Sequence, residues 1–242
     1  PSQGLLYPED SPLRSGTIDV KYMTAKEEDI LTSANLIQQG VVVDRLLESV
    51  IANSEIKLND MLVGDKNALM IGTRILGYGK EYWTNITDPD TKEKVEHCVD
   101  LTTLKHKEVD SKLMENGNKF EFELPNSKRV IEFKLLTHKD EKDFNEEMKS
   151  YEKAEELTGI SMNLTTRLKY QIVSIDGDTN KKTINNFIDN EFLALDSRAF
   201  RAHYDKVNPD IELKFDYTSQ TGNVHKVDVP LGTEFFWPAA RE

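Results

Sequence analysis

Residues 21–79, KYMTAKEEDILTSANLIQQGVVVDRLLESVIANSEIKLNDMLVGDKNALMIGTRILGYG, decide the fold because they hold the densest run of helix signals in the chain. The stretch predicts three short helices joined by tight links, with a stop at Gly77-Tyr78-Gly79. Helices of about three turns or less are marginal when isolated in water. We therefore expect these helices to pack on one another or to be held by a partner.

The first predicted helix starts at Thr24, because Thr24 and Glu27 have the spacing of a capping box. Its apolar residues recur at helical spacing, at Ile30, Leu31, Ala34 and Ile37. Gly40 predicts its end, since glycine adopts the left-handed conformation of a helix terminus at little cost.

The other two helices are predicted from similar stripes. The second buries Val43, Leu46, Leu47, Val50 and Ile51. The third is predicted to start with Asp65 as its N-cap and to bury Ala68, Leu69, Ile71, Ile75 and Leu76. Gly72 inside this helix costs about 1 kcal/mol relative to alanine. We therefore expect a close contact with another helix at Gly72.

The composition describes an acidic chain with enough apolar residues for a core. It has 242 residues, 38% of them hydrophobic, and a formal net charge of −12. This charge argues against a nucleic-acid-binding surface, which needs a basic patch, and against binding to an anionic membrane surface. No apolar run approaches the roughly 20 residues that span a bilayer. The single cysteine, Cys98, excludes an intrachain disulfide and fits a reducing compartment.

The chain divides into five predicted segments. They are an extended N-terminal arm (1–20), a helical core (21–79), a β-hairpin region (80–136), a charged helix with a mixed segment (137–195), and a helix with a C-terminal hairpin (196–242). Alternating apolar residues predict hairpins at 80–104, 119–136 and 211–231. The same alternation at Ile18, Val20 and Tyr22 predicts a strand that leads into the helices.

Three apolar groups are candidates for binding a partner. They are Leu5, Leu6 and Tyr7 in the arm, Phe144, Met148 and Tyr151 in the charged helix, and Phe235, Phe236 and Trp237 near the C-terminal end. The arm is equally well explained as a tail fastened to its own domain. The charged helix is better explained as one that lies on its own domain. The terminal aromatics serve either as a domain lid or as an anchor between subunits, and the sequence leaves both open.

Residues with catalytic or metal-binding chemistry form no recognisable constellation. The five histidines lack a second ligand at metal spacing. His97 and Cys98 are adjacent, so on a strand they would point to opposite faces. Asp176-Gly177-Asp178 lacks the carboxylates of a calcium loop. We therefore expect no enzymatic activity, no metal and no cofactor.

Three stretches of the sequence nevertheless resemble a known family. They are residues 1–51, which begin PSQGLLYPEDSPLRSGTIDV, residues 58–82, LNDMLVGDKNALMIGTRILGYGKEY, and residues 229–238, VPLGTEFFWP. Together they resemble the baseplate proteins of T4-like contractile-tailed phages, the group that holds hub and hub-assembly proteins. The resemblance covers the first 80 or so residues well and the last 30 moderately, and residues 105–190 add little to it.

The resemblance also implies a difference from relatives. Relatives often carry a Cys-x-x-Cys knuckle after the Gly-Tyr-Gly segment, and sometimes a second knuckle near the C-terminus. Here these places read Thr87-Asp88-Pro89-Asp90-Thr91 and Asp216-Tyr217-Thr218-Ser219-Gln220-Thr221-Gly222. We therefore expect degenerate, metal-free zinc-ribbon-like hairpins. Because a two-stranded hairpin is weakly stable alone, they must be held by packing on the helices or by a partner.

The expected fold is α+β: a helical N-terminal core with protruding antiparallel β-hairpins and a charged helical segment. The resemblance implies a tail morphogenesis protein that assembles the baseplate hub by binding other hub proteins, in the host cytoplasm. A structural subunit retained in the virion tail baseplate is the alternative, and homo-oligomerisation stays open. A nucleic-acid or transcription-associated binding module is the alternative of another class, and the charge of −12 counts against it.

Overall fold

A computed structural model describes residues 1–231 and 235–236, without the side chains of residues 153 and 154. Its α-helices are α1 (Ala25–Leu31), α2 (Ala34–Gln39), α3 (Val42–Val50), α4 (Val63–Tyr78), α5 (His138–Thr158), α6 (Asn163–Gln171), α7 (Lys181–Asn186) and α8 (Ala194–Val207). Its strands are β1 (Glu81–Thr87), β2 (Lys94–Asp100), β3 (Phe120–Glu123), β4 (Val130–Phe133), β5 (Ile172–Ile175), β6 (Lys214–Thr218) and β7 (Val224–Asp228). This mixture of helices and antiparallel strands confirms the α+β class.

The first predicted helix is two helices, α1 and α2. The capping box at its start is confirmed, because the Thr24 N–H donates to Glu27 Oε2 at 2.9 Å. The helix then breaks at Thr32, whose hydroxyl donates back to the Glu28 carbonyl at 2.9 Å, a local bond that competes with helix continuation. Ser33 takes an extended conformation and starts α2, and Gly40 ends α2 in the left-handed conformation as predicted.

Helix α4 starts earlier than predicted and makes its close contact at another glycine. Leu62, not Asp65, is its N-cap. Leu76, predicted to be buried, is 43% exposed. Among the described residues, no atom outside the backbone of α4 itself lies within 4 Å of where a side chain at Gly72 would begin, so the predicted helix contact there is wrong for this part of the chain. The tight position is Gly64, where an added Cβ would lie 2.0 Å from the Pro209 carbonyl oxygen.

Helices α3 and α4 lie between two hydrophobic clusters and contribute to both. Leu47 belongs to the first cluster, whereas Leu46 and Val50 of the same helix belong to the second. Leu69 and Ile71 of α4 are divided in the same way. The first cluster also contains the arm, the β3–β4–β5 sheet and α8, and the second contains the β1–β2 and β6–β7 hairpins. The predicted helical core is therefore the layer that joins the two clusters.

All three predicted hairpins are present, and one of them gains a strand. β1 pairs with β2, β3 with β4, and β6 with β7, each antiparallel. β5 pairs with β4 to complete a three-stranded sheet. Sequence analysis did not predict β5 as a separate strand, because its four residues follow α6 without a break.

The arm is folded into turns and a short 3₁₀ helix, Pro12–Ser15, instead of being extended. Arg14 holds this shape, because its guanidinium donates to the carbonyls of Leu5 at 2.5 Å and Tyr7 at 3.2 Å. The predicted strand after the arm is reduced to a single bridge between Val20 and Ile51. The arm is not extended, because the carbonyls of Leu5 and Tyr7 accept hydrogen bonds from Arg14 within the arm itself.

Candidate interaction surfaces

The arm residues named as partner-binding candidates pack inside the chain. Leu6 and Tyr7 are buried, and Leu5 is half-buried against the first cluster. The Tyr7 hydroxyl donates to Asp65 Oδ2 at 2.7 Å and accepts from the Leu62 N–H at 2.9 Å. Burial raises the pKa of Tyr7, and the Asp65 charge adds to this, so the phenol stays protonated. These contacts favour the alternative in which the arm is fastened to its own domain.

The apolar stripe of α5 also faces its own domain over much of its length. Phe144 is buried, and the Arg167 guanidinium lies 4.5 Å from the centre of its ring. Glu147 accepts the hydroxyls of Tyr151 and Tyr170, each at 2.9 Å. Helix α6 therefore packs on the first half of α5.

Met148, the third candidate on α5, is half-buried and lines a groove of about 540 Å³. The opposite wall of this groove is the corner between α2 and α3, at Gln39, Gly40 and Val41. Glu155 is the last residue of α5 that lines it. The stripe is therefore half covered and half open to a groove.

The C-terminal aromatics cover the β1–β2 hairpin. Phe235 and Phe236 are buried. The Phe235 ring packs edge-on against Tyr82 and against Phe236, with ring centres 5.0 Å apart in both pairs. Trp237 lies outside the described residues. For Phe235 and Phe236 these contacts favour the role of a domain lid.

The turns of the two hairpins bind each other through Asp88, and we call this the Asp88 clasp. Asp88 is fully buried. Within its own turn it accepts the N–H groups of Asp90 at 2.8 Å and Thr91 at 3.1 Å. From the β6–β7 hairpin it accepts the Tyr217 hydroxyl at 3.0 Å, the Ser219 hydroxyl at 2.8 Å and the Gln220 N–H at 3.2 Å.

Both carboxylates of the first turn are held in the charged form. Burial alone would raise the pKa of Asp88, but the N–H and hydroxyl donors around it hold the pKa below its usual range. Hydrogen bonds from Thr221 above all, and then from His225 and Asn223, lower the pKa of Asp90 to about 2. The clasp is therefore a charged joint between two hairpins that sequence reasoning treated as separate.

This joint lies in the two hairpins expected to be degenerate, metal-free zinc-ribbon-like hairpins, and its residues do not fit a zinc site. Both oxygens of Asp88 already accept hydrogen bonds from the opposite turn. Cys98 lies in β2 opposite Trp83, away from the turn. In residues 1–231 and 235–236, no group of three or more His, Cys, Asp or Glu is arranged to hold a metal ion. The hairpins are held by each other and by their packing on α3 and α4 in the second cluster.

His97 also packs between the hairpins. Its ring stacks on Phe215 with ring centres 5.2 Å apart, and it meets Tyr217 edge-on at 5.3 Å. This aromatic packing adds to the clasp and gives His97 a structural position.

A partly buried polar network joins the three helices α3, α4 and α5. His138 Nε2 lies 2.9 Å from Asp44 Oδ2, and Lys66 Nζ lies 3.0 Å from His138 Nδ1. Lys66 also donates to Asp44 Oδ1 at 3.1 Å. Because the ammonium can only donate, Nδ1 accepts and Nε2–H donates to Asp44. Both ring nitrogens of His138 are therefore hydrogen-bonded to neighbouring side chains. This arrangement indicates that His138 has a structural role in connecting the helices.

In the described part of the chain, the most exposed apolar side chain, Leu157, lies in residues 156–164, which we call the α5–α6 link. All nine residues are exposed, and Leu157 and Ile160 are 88% and 69% exposed. Sequence reasoning missed it because Leu157, Ile160 and Leu164 stand at i, i+3 and i+7, a helical spacing that is typical of a buried face. Within the link, Gly159 is the residue whose type indicates in the sequence that the chain reverses here.

The chain matches the protein family described as T4 bacteriophage base plate protein over residues 7–237. The match covers nearly the whole chain, including residues 105–190, and confirms the resemblance drawn from the sequence. No curated protein and no solved structure matches the chain. In the described part of the chain, no helix has the length and apolar character needed to cross a bilayer.

Proposed function

The chain belongs to the family of T4 bacteriophage base plate proteins, and from this we propose that it assembles the baseplate hub by binding other hub proteins. The observation that carries the proposal is the family match over residues 7–237. We further propose that binding, without catalysis, is its whole activity. The buried polar groups support this, because the Asp88 clasp and the His138 network bind their own chain.

The acidic charge supports a partner with a basic face. The net charge of −12 would steer the protein toward such a face and would make binding sensitive to salt. On this proposal the protein acts in the host cytoplasm while tails assemble. A structural subunit retained in the virion tail is the alternative within the same family. A retained subunit needs large, apolar interfaces, often repeated by symmetry, whereas an assembly factor needs modest, reversible ones.

Quantitative mass spectrometry of finished phage tails and of purified assembly intermediates tests the proposal. Presence in intermediates and absence from finished tails is the expected result for an assembly factor. A fixed copy number in finished tails, set by the tail symmetry, would establish the structural subunit instead. Absence from both samples would overturn the baseplate proposal. A phage with the gene disrupted is the control and should accumulate the earlier intermediate.

A further inference from the structure

We propose that the α5–α6 link is a docking surface for an apolar pocket rimmed by Lys and Arg on another baseplate protein. The inference rests on the proposed function and names the surface that carries it. Its position follows from a change along α5: the helix lines a groove as far as Glu155, and every residue from 156 to 164 is exposed.

The apolar side chains of the link are concentrated and accessible. Four of its nine residues are large apolar ones, and Leu157 and Ile160 are 88% and 69% exposed. Large apolar side chains that are exposed close together in this way indicate a candidate binding site. By contrast, Phe144 in the same helix is buried. The link therefore presents apolar surface that the rest of α5 keeps covered.

The link is anchored at both ends, which lowers the entropy lost on binding. Helix α5 is capped at its start by Thr137, which forms a capping box with Asp140, and it ends at Gly159 in the left-handed conformation. Helix α6 is anchored in turn by the buried residues Thr166 and Leu168. Two fixed helices thus hold the link in place.

The charge around the link identifies the chemistry of its partner. Glu155 and Glu156 lie directly before Leu157, and residues 154–166 contain no Lys or Arg, although Lys153 and Arg167 border that range. Exposed Glu152 adds a third acid one turn earlier. Apolar residues with acids on one side are complementary to an apolar pocket that has Lys or Arg on the matching side of its rim. A second copy of this chain is disfavoured, because its charge of −12 would be repelled.

Photo-crosslinking in phage-producing cells tests the surface with the full chain. A benzophenone amino acid replaces Ile160, and the matched control places it at Leu195, which is 66% exposed on α8. We expect position 160 to crosslink to one baseplate protein, at apolar residues flanked by Lys or Arg, and position 195 not to do so. Crosslinks only to a second copy, or no excess over position 195, would overturn the proposal.

Two variants then measure the contribution of the link to binding of the crosslinked protein. The variant Leu157→Ser with Ile160→Ser should weaken binding at least about tenfold. The control Leu193→Ser with Leu195→Ser removes two leucines that are also exposed and should leave binding unchanged. Both variants should melt within about 2 °C of the wild type, because the altered side chains are exposed. Equal binding of both variants would refute the docking surface.

The charge argument has its own measurement. Glu155→Lys with Glu156→Lys should weaken binding and flatten its dependence on salt, because the variant removes attraction to the basic rim. Unchanged salt dependence would refute the basic rim. If the link variants bind normally while the wild type is found in intermediates or tails, the surface fails and the proposed function stands. Absence from both samples would instead remove the proposed function.

Discussion

Substitution of the two glycines of α4 by alanine should have opposite effects on stability. At Gly64 the new Cβ would lie 2.0 Å from the Pro209 carbonyl oxygen and 3.0 Å from the Asp210 Cα. Both neighbours are backbone, so they cannot rotate away as a side chain would. At Gly72 the same Cβ meets no atom of the described residues within 4 Å outside the helix's own backbone. Neither glycine has a positive φ, so alanine is compatible with both backbones and sterics alone separate them.

The expected magnitudes follow from this geometry. Overpacking of a tight contact costs about 1–3 kcal/mol, and the Gly64 clash requires a backbone shift, so we expect the upper part of that range. Alanine in place of a helical glycine contributes about 0.5–1 kcal/mol of stability, and Gly72→Ala should gain this in full. A change of 1 kcal/mol shifts the melting temperature of a domain of this size by about 2–4 °C.

Thermal melting of the two variants and the wild type is the assay. Gly64→Ala should melt about 4–12 °C lower and Gly72→Ala about 1–4 °C higher than the wild type. A Gly64→Ala protein at least as stable as the wild type would refute the close packing of α4 on Pro209. A destabilised Gly72→Ala would show that the space beside this helix is filled.

Three further substitutions test the clasp, the arm and the first cluster. The carboxyl pKa of Asp88 is lower in the folded chain than its usual value, so its contribution is present above about pH 4 and is lost as the pH falls below that. Asp88→Asn should therefore lower the melting temperature at pH 7 and flatten its fall toward acid, and an unchanged slope between about pH 5 and 2 would count against the clasp. Tyr7→Phe should cost about 1–3 kcal/mol in urea unfolding, because Asp65 loses a donor and the buried Leu62 N–H loses its acceptor; a loss below about 0.5 kcal/mol would contradict this. Phe200→Ala should cost about 3–5 kcal/mol, because the fully buried ring packs edge-on against Phe133 at 5.1 Å, and a urea midpoint close to that of the wild type would contradict this.

The exposure of the candidate contact residues had no sequence signal. An apolar stripe such as Phe144 and Met148 looks the same whether it covers its own domain or another subunit. The structure shows that Phe144 lies under Arg167, which is 23 positions away in the chain. The exposed leucine at position 157 is in the same helix but lies beyond this cover. Whether an apolar face is covered depends on residues that are distant in sequence. Periodicity therefore identifies the apolar stripe but not the residues that cover it.

Local chemistry determined much of this protein from the sequence alone. The capping box at Thr24, the stop at Gly40 and the alternation of the hairpins depend on residues a few positions apart, and all three are confirmed. The acidic charge and the family likewise need no coordinates.

The tertiary structure decided what joins these elements. Asp88 and Ser219 are 131 positions apart in sequence, and Gly64 meets a carbonyl at position 209. Either contact depends on the path of the whole chain between its partners. From the sequence alone, a carboxylate in a turn is expected to lie on the solvated surface. In the folded chain, a second turn supplies hydroxyl and N–H donors to this carboxylate and excludes water from it. Local pattern therefore predicted the capping box, the Gly40 stop and the hairpins, whereas long-range packing determined which polar groups are buried and which apolar residues remain exposed.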